Sequence, residues 1–188
     1  MHKYIKRKAS QDRFVNQRTL NLRISGFSNQ TIVSVDEILE ALEALPASHL
    51  IGLREIAYDP NRIIQRAIGY YNTQDTPYPI PDFRSNGDYY HDERWINIYE
   101  FDSKQNFVHL LYHEVGHFVY KNNLSSVLRK RWVNNIYPVS SYVSTYAARN
   151  ANEDFAESYA IYLLKPEVLY RIEKKYLFLK NQVFKQPT

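Results

Sequence analysis

The string His113-Glu114-Val115-Gly116-His117 carries the most specific chemical signal in the chain. Histidines four apart on a helix lie on one face, so both imidazoles can reach a single ion at about 2.0–2.1 Å. The glutamate between them sits roughly 100° around the helix from the first histidine, beside the ion's open position rather than on it. Neutral imidazoles leave a bound zinc its positive charge, which makes a zinc-bound water acidic near neutral pH. Glu114 can take that proton and deliver it to a leaving amine. The chain has no cysteine. Thiolate catalysis, disulfides and Cys-based zinc sites are thereby excluded, and any metal must be held by His and carboxylate.

A catalytic zinc normally takes three protein ligands and keeps a fourth place for water. The third is expected from another helix, and the segment from Arg149 to Ala160 is the strongest source. Glu153 and Glu157 are four apart and share a face, while Asp154 points away from it. One carboxylate can ligate the ion while the other, one turn along, holds a ligand histidine by its free N–H. His109 extends the histidine row by a turn and reads as an ordinary polar-face residue.

Positioning these groups requires two helices and a sheet. Phe107, Leu110, Leu111, Val115 and Phe118 have helical spacing, and Ser103 is placed to cap a helix running through about Tyr120. A second helix is expected from Ser125 to Asn135, closed by Pro138. A third begins after Asn150, with Glu153 as its capping-box partner, and stops before Pro166. The tail to Lys180 reads as a last helix. Upstream, Ser34 and Glu37 have capping-box spacing ahead of Ile38, Leu39, Leu42 and Leu45. Strands are expected at Leu53 to Tyr58, Asp88 to His91 and Arg94 to Phe101. The last alternates Trp95, Asn97 and Tyr99 against Ile96, Ile98 and Glu100. Pro77, Pro79 and Pro81 make residues 71–83 an extended loop. Residues 1–20 are polar and expected to be loosely held, leaving 21–188 as one domain. Strands first and helices afterwards predict an α+β fold.

HEVGH followed by YAARNANEDFAE resembles the catalytic domain of anthrax lethal factor and the related Pro-Pro endopeptidases, over about residues 94–164. These are zincins, in which a glutamate on a later helix completes the site. The resemblance implies a zincin-like domain with a small mixed sheet whose edge strand borders the cleft, an HExxH helix and a C-terminal helical part. It implies one zinc ion per chain, held by His113, His117 and Glu153, with Glu157 behind a ligand histidine. Tyr146 falls where the family has a tyrosine facing the metal, able to donate to the oxyanion; Tyr142 is the fallback. The implied activity is hydrolysis of a peptide or protein substrate. The strand Arg94 to Phe101 is expected to border the cleft, with Trp95, Asn97, Tyr99 and Tyr89 as pocket residues.

Two other readings belong to different classes. Leu163-Leu164-Lys165-Pro166 is similar to a string in peptidases that cleave repressors alongside a DNA-binding partner. Their glutamate spacing, however, aligns with neither Glu153 nor Glu157. A zinc-bound, non-catalytic interaction protein would have no need of Glu114.

The bulk composition is that of an ordinary globular protein, with a net charge of +4. The basic clusters Lys3 to Lys8 and Arg129 to Arg131 read as solvated faces, so no nucleic-acid partner is expected. No apolar stretch is long enough to span a bilayer, so no membrane partner is expected. The basic N-terminus lacks the apolar run of a signal peptide, which makes the expected location cytoplasmic by default, with secretion left open. The sequence is silent on oligomeric state.

Overall fold

Isoleucines at matching heights on three short strands define the face on which the site is built. The computed structural model describes residues 13–17, 20–61 and 86–185. Five strands form one mixed sheet: β1 (Arg13–Gln17), β2 (Leu20–Ser25), β3 (Glu55–Tyr58), β4 (Gly87–Tyr90) and β5 (Trp95–Ile98). Their order is β1-β2-β3-β5-β4. The central pairs β2–β3 and β3–β5 are parallel, and the outer pairs β1–β2 and β5–β4 are antiparallel. Ile24, Ile56, Ile96 and Tyr89 are successive partners across this sheet, so they form one row on one face. The three isoleucines are at most 1% exposed, and each contributes on the order of 2 kcal/mol by leaving water.

Helices α1 (Val35–Glu43) and α2 (Lys104–Asn122) add Ile38, Leu42, Phe107, Leu111, Val115 and Phe118 to the same core. Both start where their caps predict. Ser34 Oγ accepts from the Glu37 N–H, and Glu37 Oε2 accepts from the Ser34 N–H at 2.8 Å, closing the capping box. Ser103 Oγ accepts from the Asn106 N–H at the head of α2. Lys104 in the first turn of α2 then reaches Glu37 Oε1 at 3.0 Å and ties the two helix starts together.

Helix α3 (Ser126–Arg131) runs into a π-helical turn, Trp132–Ile136, and ends at Pro138. Helix α4 (Ala151–Leu164) is capped by Asn150, whose Oδ1 accepts from the N–H groups of Asn152 and Glu153. The Glu153 side chain does not complete the expected capping box, because it turns toward the imidazoles of α2. The expected single terminal helix is instead α5 (Pro166–Tyr170), α6 (Glu173–Phe178) and a π-helical turn, Leu179–Val183.

Three further expectations are corrected. The N-terminal segment contains β1 rather than being loosely held throughout. The strand Arg94 to Phe101 is not the sheet's edge: β5 lies between β3 and β4, and β4 is outermost among the described residues. Trp95, Asn97 and Tyr99 consequently face away from α2, because strand alternation gives the α2 side to Ile96 and Ile98. The proline-rich stretch 71–83 lies outside the described residues. The fold is α+β with a small mixed sheet.

Candidate metal centre

Helix α2 lies between the sheet and α4, and one residue sets how closely the two helices cross. A Cβ on Gly116 would stand 2.9 Å from Ala156 Cα and 3.2 Å from Tyr159 Cβ. Only glycine allows this approach. On α4, Ala156 and Ala160 are fully buried, and the Phe155 ring lies 5.0 Å from that of Tyr120 on α2. The crossing brings the first turn of α4, which carries Glu153, over the face of α2 that carries the two histidines.

Three ligand atoms meet there. His113 Nε2 and His117 Nε2 are 3.0 Å apart. Glu153 Oε2 is 3.2 Å from each of them. For a tetrahedral ion with ligands at about 2.0–2.1 Å, the ligand atoms stand about 3.3 Å apart. The observed triangle is within a few tenths of an ångström of that figure on every edge. Glu153 Oε2 is also buried and aligned as hydrogen-bond acceptor to neither ring nitrogen. The two Nε2 atoms are within hydrogen-bond distance of each other, and the three atoms together form a donor set that suits zinc. Burial alone would raise the Glu153 carboxyl, but the two imidazoles outweigh it and hold it at about 2. Burial likewise opposes charge on His113, yet the Glu153 and Glu157 carboxylates hold its imidazole up at about 10. A proton and a metal ion compete for the same Nε2 lone pair, so a cation bound at the triangle would displace that proton.

Glu157, one turn along α4, supplies the outer support. Its Oε1 lies 2.8 Å from His113 Nδ1 and 3.1 Å from His109 Nε2. Its Oε2 accepts from the Ser144 hydroxyl at 2.7 Å. Burial would raise this carboxyl, but its histidine and serine partners keep it well below the usual carboxylate range. When its Nδ1–H donates to the ionised Glu157, a neutral His113 carries its lone pair on Nε2, at the triangle. His109 is therefore a partner of Glu157, and the metal triangle does not include it.

Glu114 is held apart from the triangle. It is 3% exposed, and burial pushes its carboxyl upward, with the neighbouring imidazoles and the backbone N–H of Tyr89 opposing the rise. Gly87 makes the space: a Cβ there would lie 3.2 Å from Glu114 Oε1 and 3.1 Å from Asn97 O. The second carboxylate oxygen, Oε2, is buried without a hydrogen-bond partner. A carboxyl raised in this way and left with an open oxygen is a candidate for exchanging a proton with a group bound over the triangle.

A depression of about 250 Å³ opens over these groups, lined among others by Tyr89, His91, Lys121, Tyr146 and Asn152. Tyr146 leads a 3-10 turn, Ala147–Arg149. Its ring lies 5.6 Å from that of His113, with the Arg149 guanidinium 4.3 Å from its centroid. Ser144 caps the same turn by accepting from the Ala147 N–H, so one hydroxyl links Glu157 to the segment carrying Tyr146. Tyr142 is elsewhere, exposed, with its ring 5.0 Å from Lys175 Nζ.

Trp95, Asn97 and Tyr99 do not line this depression. Asn97 and Tyr99 are each 1% exposed, and the Tyr99 hydroxyl donates to Asp88 Oδ2. Of the four expected pocket residues, only Tyr89 is at the site. Sequence reasoning missed Ser144, although Ser144-Thr145-Tyr146-Ala147 has the three-residue spacing of a serine turn cap. It also missed Asp154, which is fully buried against the equally buried Lys175 of α6. Burial pushes the Asp154 carboxyl up and the Lys175 ammonium down, each opposed by the other's charge. Comparisons of the chain with protein-family models, with curated proteins and with solved structures find no match.

Proposed function

We propose that this protein is a zincin-type, zinc-dependent endopeptidase. The reading is carried by the near-tetrahedral spacing of His113 Nε2, His117 Nε2 and Glu153 Oε2, with Glu114 alongside. The resemblance of HEVGH and the glutamate helix to the lethal factor group agrees with it. His113, His117 and Glu153 would hold a zinc ion, which would supply the positive charge that makes water acidic near neutral pH and polarises a carbonyl. Glu114 accepts the proton at its open Oε2 and returns it to the leaving amine. The Tyr146 phenol donates to the oxyanion as the tetrahedral centre forms. Glu157 keeps His113 in one tautomer throughout. Burial of His113, Glu114 and Glu153 limits competing water around the reacting atoms.

The test combines elemental analysis of the purified protein with mass spectrometry of a peptide library, with and without a chelator. One zinc per chain and chelator-sensitive cleavage are expected. Glu114→Gln keeps zinc and loses nearly all hydrolysis, and unchanged activity removes Glu114 from the mechanism. Glu153→Ala lowers zinc affinity markedly. Tyr146→Phe lowers turnover with zinc retained.

A further inference from the structure

The basic run Arg129 to Arg131 plays no part in metal chemistry, yet two of its residues line a hollow that adjoins the candidate metal site. The depression over the triangle shares His91 and Lys121 with a second one of about 490 Å³. Lys121 follows His117 by four residues, so it projects from the same face of α2 one turn further on. Arg129 and Lys130, at the end of α3, also line this second hollow, together with Ser126 and Asn134. Among the described residues, no carboxylate lines it. Lys121 and Lys130 are exposed, and among the described residues neither forms an ion pair. Arg129 donates through Nη1 to the carbonyls of Lys121 and Leu124, which fixes its charge at the C-terminus of α2. Three cations, Lys121, Arg129 and Lys130, thus line one trough, which shares His91 and Lys121 with the depression over the triangle.

We propose that this trough is a subsite for acidic side chains, and that the substrate is a peptide carrying Asp or Glu residues on the Lys121 side of the scissile bond. Cleavage at that bond rests on the hydrolase reading above; binding in the trough does not. The shared wall favours a peptide over a nucleic acid, because one extended occupant then fills both hollows. Half-exposed ammonium groups select by charge and steer encounter more than they add raw affinity, so the effect is moderate and weakens with salt.

Three labelled peptides differing only by Glu, Gln or Lys at consecutive positions serve as probes, in both orientations about a neutral centre. Their binding to zinc-loaded Glu114→Gln protein is read by fluorescence anisotropy, with no turnover to complicate it. The Glu peptide is expected to bind about three- to tenfold more tightly than the Gln peptide, in one orientation and at low salt. Lys121→Glu and Lys130→Glu each erode that ratio. Lys165→Glu, the same charge change at the opposite end of α4, leaves it intact. Equal binding of Glu and Gln peptides overturns the proposal. So does an oligothymidylate that binds more tightly than the Glu peptide and depends on the same two lysines. With the wild-type protein and a peptide library, cleavage without acidic enrichment sinks the subsite and spares the hydrolase. Selective binding without any cleavage sinks the hydrolase and supports the subsite.

Discussion

Replacing Gly116 by alanine tests the geometry on which the proposed metal centre depends. In an unhindered helix this change stabilises by about 1 kcal/mol, because alanine loses less backbone freedom. Here the new methyl would meet Ala156 Cα at 2.9 Å and Ala156 O at 3.2 Å. Carbon atoms pack at about 3.5–4.0 Å, so α2 and α4 must part by roughly 0.6–1 Å. Overpacking of that kind costs about 1–3 kcal/mol, which cancels or exceeds the gain in helix propensity. The effect on the site is larger than the effect on stability. Glu153 lies three residues before Ala156 on the same helix, so parting the helices draws its Oε2 off a triangle whose edges are now 3.0–3.2 Å. We expect zinc affinity to fall about 10–100-fold, the range seen when metal ligands lose their support. Competition against a chromogenic chelator measures it, and calorimetry of the metal-free protein measures stability. A variant that binds zinc like the wild type and melts higher would refute the close crossing and the role of Gly116.

Other expectations follow from the same contacts. Glu157→Gln and Ser144→Ala both loosen the grip on His113 Nδ1; zinc affinity falls in each, by about 10-fold or more for Glu157→Gln, with the chelator assay as readout. Lys175→Met strands the buried Asp154 carboxylate and destabilises by about 3–5 kcal/mol, whereas Lys175→Met with Asp154→Leu recovers much of the loss in urea denaturation. The Ser34 backbone and side chain, together with Lys104, hold the Glu37 carboxyl down at about 2. Its stabilising contribution is therefore complete above its ordinary value near 4.5 and is lost as pH falls through about 2. Wild type should exceed Glu37→Gln in urea midpoint at pH 6, with the gap closing toward pH 2.

Much of the site is legible in sequence because helical periodicity is a local rule. His113, His117, Glu153 and Glu157 need only a spacing of four to share faces, and Ser34, Ser103 and Asn150 mark helix starts by their own side chains. What could not be read is long-range. The alternation of Arg94 to Phe101 defines two faces but not which of them meets α2, so the pattern alone does not exclude Trp95, Asn97 and Tyr99 from the cleft. The edge position of β4 depends on strand order, which no local pattern encodes. Glu153 satisfies the capping-box spacing, yet its carboxylate goes to the imidazoles, since a tertiary partner of opposite charge outcompetes one backbone N–H. Ser144 lay within reach of a local rule; Lys175 did not.

The buried Asp154–Lys175 contact also defines what counts as a working unit. A chain cut after Leu164 would keep the histidines, both glutamates and the tyrosine, and by motif alone would be complete. It would nevertheless expose the inner side of the glutamate-bearing helix and leave an unneutralised carboxylate beside the residue meant to grip the ion. On the proposed zinc reading, the minimal fragment able to load the ion must therefore extend at least through α6, some distance past the last residue to which that reading gives a chemical part.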